Sequence, residues 1–435
     1  MRRLLPSILS LLLAIPALPS GATPVPSSSP PSVTSPDRHP AIADTLIPSG
    51  PVRHRSRAEE ALALPGTVLY LPFHLVFVAG EIAAGAVWEE RVLDRARAWL
   101  TTTDGRVGIS PLASTRIGAG AHIFYKDLIL DGDANLVSSR GQEKRQHHLL
   151  TLSFPGRPLR SGPLGLSLQF RQEPKETFFG SGHNTPRSAS SAYLQEEFSF
   201  NITHRRRLSR ALSLNALLGY QTVDIGTSIS QLTPPIQNRY LPGQLPGLDD
   251  RLHHLEAALL LRALFVDVPG SPVHGNRSLI SLGYKRSIDD DDFSHFKLLI
   301  RTEQFFELFY RRTLSLRLGT DWRFAPGPDQ IPFYDLAFLG GNEQLRGYRR
   351  GRFRDLGAIF AAATYKYPIW KLLDGELFYE TGRPFHQPND FTLKGWKYSW
   401  GAGLRLWVPR GLIFEQLVAL SAEETRLIFN FKADL

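Results

Sequence analysis

From about residue 107 onward, the sequence alternates with a period of two between apolar side chains and small or charged ones. Residues 314–324 illustrate this with the two sets Leu314, Leu316, Leu318, Thr320, Trp322, Phe324 and Ser315, Arg317, Gly319, Asp321, Arg323. Segments 164–171, 212–216 and 402–406 repeat the pattern. Successive side chains of a β-strand point to opposite faces, so this period predicts strands. The sequence therefore indicates an all-β fold.

The length of the charged face separates two kinds of β-protein. A soluble sandwich also alternates, but here strand after strand carries small or charged residues opposite aliphatic and aromatic ones. After residue 22 no uninterrupted apolar stretch of about 18 residues could form a membrane-spanning helix. Strands that face lipid on one side and a wet lumen on the other give this texture. We expect residues 107–435 to form a transmembrane antiparallel β-barrel.

The number of strands follows from segments bounded by turn residues. Fifteen candidates lie at 113–124, 127–138, 147–154, 163–172, 191–202, 211–222, 252–266, 278–287, 294–305, 311–324, 357–367, 373–381, 397–408, 412–420 and 427–435. Single-chain bacterial barrels have an even number of strands. The unassigned gap 223–250 is long enough for one more strand. We therefore expect about 16 strands, with the additional one in this gap.

The residues before the barrel divide into three segments. Residues 1–22 have the basic start, short apolar run and small final residues of a cleaved signal peptide. Residues 23–57 are rich in Pro and Ser, which predicts a disordered periplasmic leader. Residues 58–106 are expected to form a helical periplasmic segment, with an amphipathic helix at 81–100. This helix could pack against the barrel, lie on the membrane surface or act as a spacer.

Composition excludes several function classes. The chain has no cysteine, so disulfides, thiolate catalysis and cysteine-based zinc sites are absent. Its formal net charge of +9 could suggest nucleic acid, but the arginines are scattered singly through the alternation rather than grouped on one patch. We expect no nucleic-acid partner.

No local motif indicates catalysis or a metal. The run 289–292 of four Asp residues lacks the ligand spacing of a calcium loop, so a polar turn is expected there. Two pairs of adjacent histidines occur, at 147–148 and 253–254. The two members of each pair would point to opposite faces of a strand, so we expect them to be residues of the barrel wall and not metal ligands. The chain has no nucleophile elbow, zinc-protease helix or phosphate-binding loop. We expect no cofactor and no enzyme activity, although a hydrolase with residues spread over facing strands stays a third alternative.

One segment is far more specific than the rest. Residues 338–353 read Phe-Leu-Gly-Gly-Asn-Glu-Gln-Leu-Arg-Gly-Tyr-Arg-Arg-Gly-Arg-Phe. This segment resembles the LGG…RGY/F signature of the bacterial surface antigen family, the superfamily of outer-membrane assembly and secretion barrels that includes BamA, TamA and the two-partner secretion transporters. The matching residues are Leu339, Gly340, Gly341, Arg346, Gly347 and Tyr348.

Three further segments match the family in the expected order. Five candidate strands follow the loop, as they follow the family's sixth extracellular loop. Residues 365–369 resemble its Y-R-x-P-I step, preceded here by Thr364. Residues 378–382 resemble its F-x-D-x-G strand motif, with Phe378, Gly382 and Glu380 in place of Asp. Residues 178–185 resemble its F-Y-G-x-G-N-x-T turn.

Alternation places Glu376, Phe378 and Glu380 on one face of their strand, and this face points into the lumen if Leu377 and Tyr379 face lipid. The glycines of the loop allow it to fold back sharply, since glycine tolerates positive φ. Arg346 could then form a charge-assisted pair with Glu380 or a neighbouring inward carboxylate. In the family, the corresponding Arg packs its loop against the corresponding carboxylate strand. The alternative is that Arg346 is one solvated arginine among several.

The resemblance implies a barrel of the cell outer membrane that aids insertion or translocation of polypeptides, or of lipids, through a weak seam between its first and last strands. Its expected partners are outer-membrane lipid and lipopolysaccharide, with unfolded polypeptide clients or periplasmic proteins as further candidates. Residues 23–106 lack the β-α-α-β-β pattern of a polypeptide-transport-associated (POTRA) domain. The alternative is therefore a passive pore or structural barrel without insertase activity.

Protease accessibility tests the predicted topology. Protease added to intact cells should spare residues 23–100, because they lie in the periplasm, and should remove them after the outer membrane is permeabilised. Immunoblotting against this segment measures both results. Its cleavage on intact cells would contradict the topology.

Overall fold

The computed structural model describes residues 100–435 except 116, 156–161, 242, 250, 290–292, 326, 328, 329, 371, 391, 393, 409, 410 and 433–435. The predicted signal, leader and helix up to residue 99, and the expected lack of a POTRA pattern there, lie outside the described residues. Of the expected helical segment 58–106, the described part is 100–106. It contains turns and a bridge from Thr101 to Gly108. No helix in the described part of the chain is long and apolar enough to cross a membrane.

Strands make up most of the described chain. They are β1 (Val107–Ser114), β2 (Gly118–Ile129), β3 (Gly132–Arg140), β4 (Gln146–Phe154), β5 (Leu164–Phe178), β6 (Ser191–Arg207), β7 (Leu212–Thr227), β8 (Leu252–Val266), β9 (Gly275–Ser287), β10 (His295–Phe309), β11 (Arg312–Phe324), β12 (Ala337–Leu339), β13 (Phe353–Asp355), β14 (Gly357–Trp370), β15 (Leu373–Phe385), β16 (Lys397–Val408), β17 (Gly411–Ser421) and β18 (Thr425–Lys432). Short 3-10 turns at Gln142–Lys144, Arg187–Ala189, Ile236–Asn238, Phe333–Asp335 and Pro388–Asp390 interrupt the loops.

Sixteen of these strands form one closed antiparallel barrel, and β12 and β13 form a separate two-stranded sheet. Each strand of the barrel pairs with its neighbour in sequence, except that β11 pairs with β14 and β1 closes the barrel against β18. The predicted fold class and strand number are confirmed.

The expected position of the sixteenth strand was wrong. The described residues of 228–251 form loops and a 3-10 turn, whereas the additional strand is β1 at the start of the barrel. The candidate 113–124 joined the end of β1 to β2 across the turn at 115–117. Pro111 is the reason, because it interrupts the alternation of β1 and has no N–H for a β-ladder.

The two faces of the barrel wall follow the predicted alternation. Leu218 on β7 is 63% exposed and lies on the lipid side, together with other exposed apolar residues such as Leu259. Gln221, three positions along β7, lies on the opposite face and accepts a hydrogen bond from buried Lys285. The lumen is therefore polar and hydrogen-bonded, whereas the outside is apolar.

The two ends of the barrel differ in the length of their connections. The longest connections, 179–190, 228–251 and 325–356, all lie at one end, and the turns 130–131, 208–211 and 310–311 lie at the other. Short turns face the periplasm in bacterial outer-membrane barrels. The end at which β1 begins and β18 ends is therefore the periplasmic end.

The extracellular loops pack on one another through an apolar cluster. Phe333 lies edge-on to Phe178 and Tyr193, with ring centroids 5.2 Å and 5.0 Å apart. Ile236, Leu245 and Leu248 of loop 228–251 complete this buried cluster. The cluster joins loops that are far apart in sequence.

Beside this cluster, Asp335 accepts hydrogen bonds from Lys285 Nζ at 2.7 Å and from His295 Nε2 at 3.1 Å. Lys297 Nζ lies 2.8 Å from its other oxygen. Burial alone would raise the pKa of Asp335, but Lys285 and Lys297 outweigh burial and hold this pKa well below its usual range. The extracellular loops are thus tied to the wall by charge as well as by apolar packing.

The His pairs lie in β4 and β8, as the alternation predicted. Asp289 accepts a hydrogen bond from the backbone N–H of His253, and the other three residues of the Asp run lie outside the described residues. No group of metal-binding residues occurs in the described part of the chain.

The lipid face can be tested by one charge placed on each side of the wall. Leu218→Arg should lower the free energy of unfolding by about 2–4 kcal/mol, because a charged side chain near mid-membrane faces lipid. Leu217→Arg, one residue away on the lumen face, should cost clearly less. Denaturant unfolding in lipid vesicles measures both. Equal costs would contradict the assignment of faces.

Candidate functional site: a loop held inside the barrel

Residues 340–352, which connect β12 to β13, turn back into the lumen. Two glycines make this possible: Gly340 has φ +100° and Gly341 has φ +125°. A Cβ on Gly340 would lie 2.1 Å from the carbonyl oxygen of Arg349, so no other residue fits there. We call residues 340–352 the lumen loop.

Arg346, at the centre of the lumen loop, contacts two carboxylates of β15. Its Nε donates to Glu380 Oε1 at 2.9 Å and its Nη1 donates to Glu376 Oε1 at 3.0 Å. Its backbone N–H donates to Glu380 Oε2 at 2.7 Å. The side chains of Arg346 and Glu380 are only 8% and 1% exposed. The alternative of a solvated Arg346 is not what the structure shows.

An aromatic ring completes this site. The guanidinium of Arg346 lies 3.6 Å from the ring centroid of Phe378, a cation–π contact. Phe378 packs in turn on Leu417, Ala419 and Ile428, all buried. The residues Glu376, Phe378 and Glu380 alternate along β15, so one strand face supplies the whole receptor for Arg346.

Two more arginines share the charge of these carboxylates. Arg317 Nη2 donates to Glu380 Oε1 at 3.3 Å, and Arg405 Nη1 lies 3.5 Å from Glu376 Oε2. Ser399 donates its hydroxyl to Glu380 Oε2 at 3.3 Å. The alternation identified Glu376 and Glu380 as inward carboxylates, but no local signal marked Arg405 as a neighbour of Glu376, or Arg317 and Ser399 as neighbours of Glu380.

Gly347 and Tyr348 fix the loop beside Arg346. The N–H of Gly347 donates to Ser399 Oγ at 2.9 Å, and its carbonyl accepts from Ser421 Oγ at 2.8 Å. A Cβ on Gly347 would lie 2.5 Å from the carbonyl oxygen of Leu420, so the close approach requires glycine. Tyr348 is buried and packs edge-on against Phe353 at 5.1 Å.

The strand motif receives the start of the loop. Gly382 lies where a Cβ would be 3.1 Å from Leu339 Cδ1 and 3.0 Å from the carbonyl oxygen of Ile359. Leu339 is fully buried, in a cluster with Leu345, Tyr348, Phe353 and Phe360. Gly382 thus leaves room for Leu339 against the wall.

The upstream turn motif also contacts the loop. The N–H of Gly182 donates to the carbonyl oxygen of Arg354 at 2.7 Å. Arg352 Nη1 donates to Thr185 Oγ1 at 3.0 Å, and its guanidinium lies 4.7 Å from the ring centroid of Phe179. Two motifs separated by nearly half of the barrel sequence therefore meet around the lumen loop.

The lumen loop also reaches the place where the barrel closes, which the sequence did not reveal. Arg426 on β18 donates from Nη1 to the carbonyl oxygens of Arg346 at 2.8 Å and Tyr348 at 2.7 Å. The amide of Asn342 donates to Thr115 Oγ1 at 3.0 Å, and its oxygen accepts from Arg426 Nη2 at 3.2 Å. Asn342 thus bridges the end of β1 and the start of β18.

Comparisons with known proteins agree with this architecture. The family model described as "Omp85 superfamily domain" matches residues 131–416. A search of curated protein sequences gives no significant match. Among solved structures, BamA from Haemophilus ducreyi lacking POTRA domains 1–3 is similar, with TM-score 0.57 and 15% identity over 74% of this chain and 68% of that one.

Two further structures match less well. CdiB from Acinetobacter baumannii has TM-score 0.46 and 13% identity over 75% of this chain and 59% of its own. CdiB from Escherichia coli has TM-score 0.49 and 11% identity over 75% of this chain and 62% of its own. This chain therefore spans less than two thirds of either CdiB chain, and at these identities the BamA likeness shows the fold alone.

Replacing Arg346 or Glu380 tests how the loop is held. Arg346→Ala and Glu380→Ala should each lower the free energy of unfolding by about 2–4 kcal/mol, because a buried charge loses a partner. The double variant should be no worse than either single one. Heat-resistant folding on gels and denaturant unfolding measure the losses, and limited proteolysis measures release of the loop.

A matched control exists in the same loop. Arg349 pairs with Glu424 at 3.0 Å, but its side chain is 58% exposed. Arg349→Ala should therefore cost only about 0–1 kcal/mol. If both single variants keep the loop as protease-resistant as Arg349→Ala does, the internal pair does not hold the loop.

Proposed function

Because this chain belongs to the Omp85 superfamily and is a β-barrel of the outer membrane, we propose that it opens between β1 and β18 to help polypeptides insert into or cross that membrane. Lipids are the second substrate class for the same opening. The observation that carries the proposal is the short contact between these two strands, with the lumen loop attached beside it.

The closing contact is the shortest in the barrel wall among the described residues. Among the described residues, β1 pairs with β18 from Leu112↔Lys432 to Ser114↔Asn430, and the N–H of Thr115 donates to the carbonyl oxygen of Phe429 at 2.9 Å. Residues 433–435 lie outside the described residues. Along its other edge, β1 pairs with β2 over its whole length, from Val107↔Tyr125 to Ser114↔Gly118. Since each pair of strands is held by its ladder of hydrogen bonds, the β1–β18 seam is the wall contact that separates at least cost.

An apolar cavity of about 380 Å³ adjoins the seam. Pro111 and Leu112 of β1, Ile413 of β17 and Phe431 of β18 line it. On this edge β1 pairs with Thr101 at Gly108 and with β18 from Leu112 onward, so among the described residues only 109–111 have no ladder partner there. A short open edge beside apolar surface is a template for β-augmentation by an incoming strand. This supports an unfolded polypeptide with strand-forming segments as the client.

The lumen loop controls the seam in this proposal. Asn342 joins Thr115 to Arg426 at the extracellular end, so β1 and β18 cannot separate there while the loop stays in place. Arg346 keeps the loop in place through Glu376 and Glu380. Opening from the periplasmic end can proceed with the loop bound, whereas full separation requires release of Asn342.

The proposal requires no catalytic residue, metal or cofactor. The barrel only binds and releases its client, and the client supplies backbone hydrogen bonds that replace those between β1 and β18. Periplasmic partners that deliver clients, and lipopolysaccharide around the extracellular end, are further expected partners.

A reversible crosslink tests seam opening. Ser114→Cys with Asn430→Cys joins the seam where Ser114 Oγ already donates to Asn430 Oδ1 at 2.8 Å, and the chain has no other cysteine. Oxidised protein in vesicles should fail to speed the insertion of a urea-unfolded eight-stranded barrel protein. Reduction should restore the acceleration, because the seam can separate again.

The matched control is a crosslink within the wall, Ser281→Cys with Leu299→Cys, which joins directly paired residues of β9 and β10. This variant should accelerate insertion in both redox states. Full acceleration by the oxidised seam variant would refute opening at the seam. No acceleration by any variant, together with steady conductance in a planar bilayer, would favour a passive pore.

A further inference from the structure

The periplasmic end of β6, β7 and β8 carries a group of exposed arginines that the proposed function does not use. Three are consecutive at the end of β6, one lies in the following turn and one lies on β8: Arg205, Arg206, Arg207, Arg210 and Arg262. We call this group the rim patch, and here the expectation that the arginines are scattered singly was wrong. Arg205 Nε donates to Asn215 Oδ1 at 2.9 Å, and none of the five pairs with a carboxylate in the described part of the chain.

The registers of the three strands bring these charges together. Arg207 pairs with Ser213, which pairs with Arg262 on the other side, so the two arginines lie two strands apart. That spacing is about 10 Å, somewhat beyond the screening length of about 8 Å at physiological salt. Arg205 and Arg207 lie on the same face of β6 only about 7 Å apart, within the screening length, so their charges repel each other unless an anion lies beside them.

Arg206 differs from its neighbours because it faces lipid. It pairs with Leu214, which pairs with Leu261, and this row lies on the same face as the rows that carry exposed Leu218 and Leu259. Arg205, Arg207 and Arg262 lie on the opposite, lumen face. A charged side chain on the lipid face is tolerated only near the membrane interface, where its cost falls towards zero.

Apolar residues on the same outer face set the depth of Arg206. Leu208 in the adjacent turn and Phe265 at the end of β8 are both about half exposed. Aromatic and aliphatic side chains of this kind form the interfacial girdle of outer-membrane barrels. Arg206 and Arg210 thus lie at the level of the headgroups, where lipid phosphates are the abundant anions.

We propose that the rim patch binds the phosphate headgroups of phospholipids in the periplasmic leaflet, with a preference for anionic over zwitterionic lipids. Arg206 and Arg210 contact the headgroup, since guanidinium binds phosphate through paired hydrogen bonds. Arg205, Arg207 and Arg262 add positive potential from the lumen side. The patch anchors one side of the barrel, remote from the β1–β18 seam in strand order, to anionic lipid.

Lipid association in vesicles tests this assignment. The full chain is reconstituted in phosphatidylethanolamine with a minority of phosphatidylglycerol, and electron spin resonance measures how much of each spin-labelled lipid is immobilised by the protein. Wild type should favour phosphatidylglycerol, and Arg206→Ser with Arg210→Ser should reduce this preference at least about fivefold. Arg206→Lys with Arg210→Lys should retain most of it.

The extracellular end offers a matched control pair. Arg140 and Arg286 are also exposed and lie at the ends of β3 and β9, and Arg286 pairs with lipid-facing Leu255. Arg140→Ser with Arg286→Ser should leave the preference unchanged. Correct folding is checked by heat-resistant mobility on gels, and glutamine replaces serine if a serine pair does not fold.

Three outcomes would overturn the proposal. Wild type without preference for phosphatidylglycerol excludes an anionic-lipid site, and an equal loss in the control pair shows only a general effect of charge. A larger loss in the lumen-facing pair Arg207→Ser with Arg262→Ser would assign the patch to an anion that enters the lumen, such as an acidic polypeptide.

Discussion

The position of the lumen loop depends on the buried positive charge of Arg346 and on the carboxylates that pair with it inside the barrel. The guanidinium of Arg346 lies between the carboxylates of Glu376 and Glu380 and over the ring of Phe378. Withdrawing the lumen loop would leave two buried carboxylates without this cation and would expose Leu345, which is fully buried. Removing one partner from a buried ion pair is among the larger single costs in protein stability. The loop therefore stays in the lumen because its withdrawal would break these buried ion pairs and lower the stability of the protein.

This interaction also connects parts of the wall that are far apart in sequence. The loop that Arg346 anchors carries Asn342 to the seam and Arg352 to the turn around Thr185. The receptor strand β15 lies three strands from β18, so the anchor and the seam belong to neighbouring parts of the wall. The lumen loop thus restrains the separation of β1 from β18, and its own position depends on whether these strands are closed. Because the constraint comes from a few polar contacts rather than from a continuous ladder, it can be released without unfolding the barrel.

Local pattern predicted the wall but not its closure. Alternation indicated the barrel, its lipid and lumen faces and the inward direction of Glu380. It failed at β1, where Pro111 interrupts the alternation, and the missing strand was therefore sought in loop 228–251. The number of strands depends on which segments form hydrogen-bonded ladders. One of the two partners of β1 is β18, which lies more than 300 residues away in the sequence.

The parts of the site whose residues lie close together in the sequence could be predicted, and the parts that depend on distant contacts could not. The glycines and Arg346 lie in one segment and the carboxylates alternate along one strand, so their meeting could be expected from the motif order. Arg426 donates to backbone carbonyls of the loop and Ser399 accepts from a backbone N–H, and backbone donors and acceptors leave no trace in the sequence. Such contacts depend on the exact path of the loop, which only the closed barrel determines.

Thiol accessibility inside the lumen loop tests the central claim most directly, since the chain has no cysteine of its own. Leu345→Cys replaces a fully buried residue, and Leu232→Cys replaces one that is 91% exposed in an extracellular loop. The account predicts that a maleimide modifies Leu345→Cys far more slowly than Leu232→Cys in purified protein. Adding Glu380→Gln should speed the reaction at position 345 and leave position 232 unchanged. Equal reaction rates at the two positions without Glu380→Gln would contradict a loop held inside the barrel.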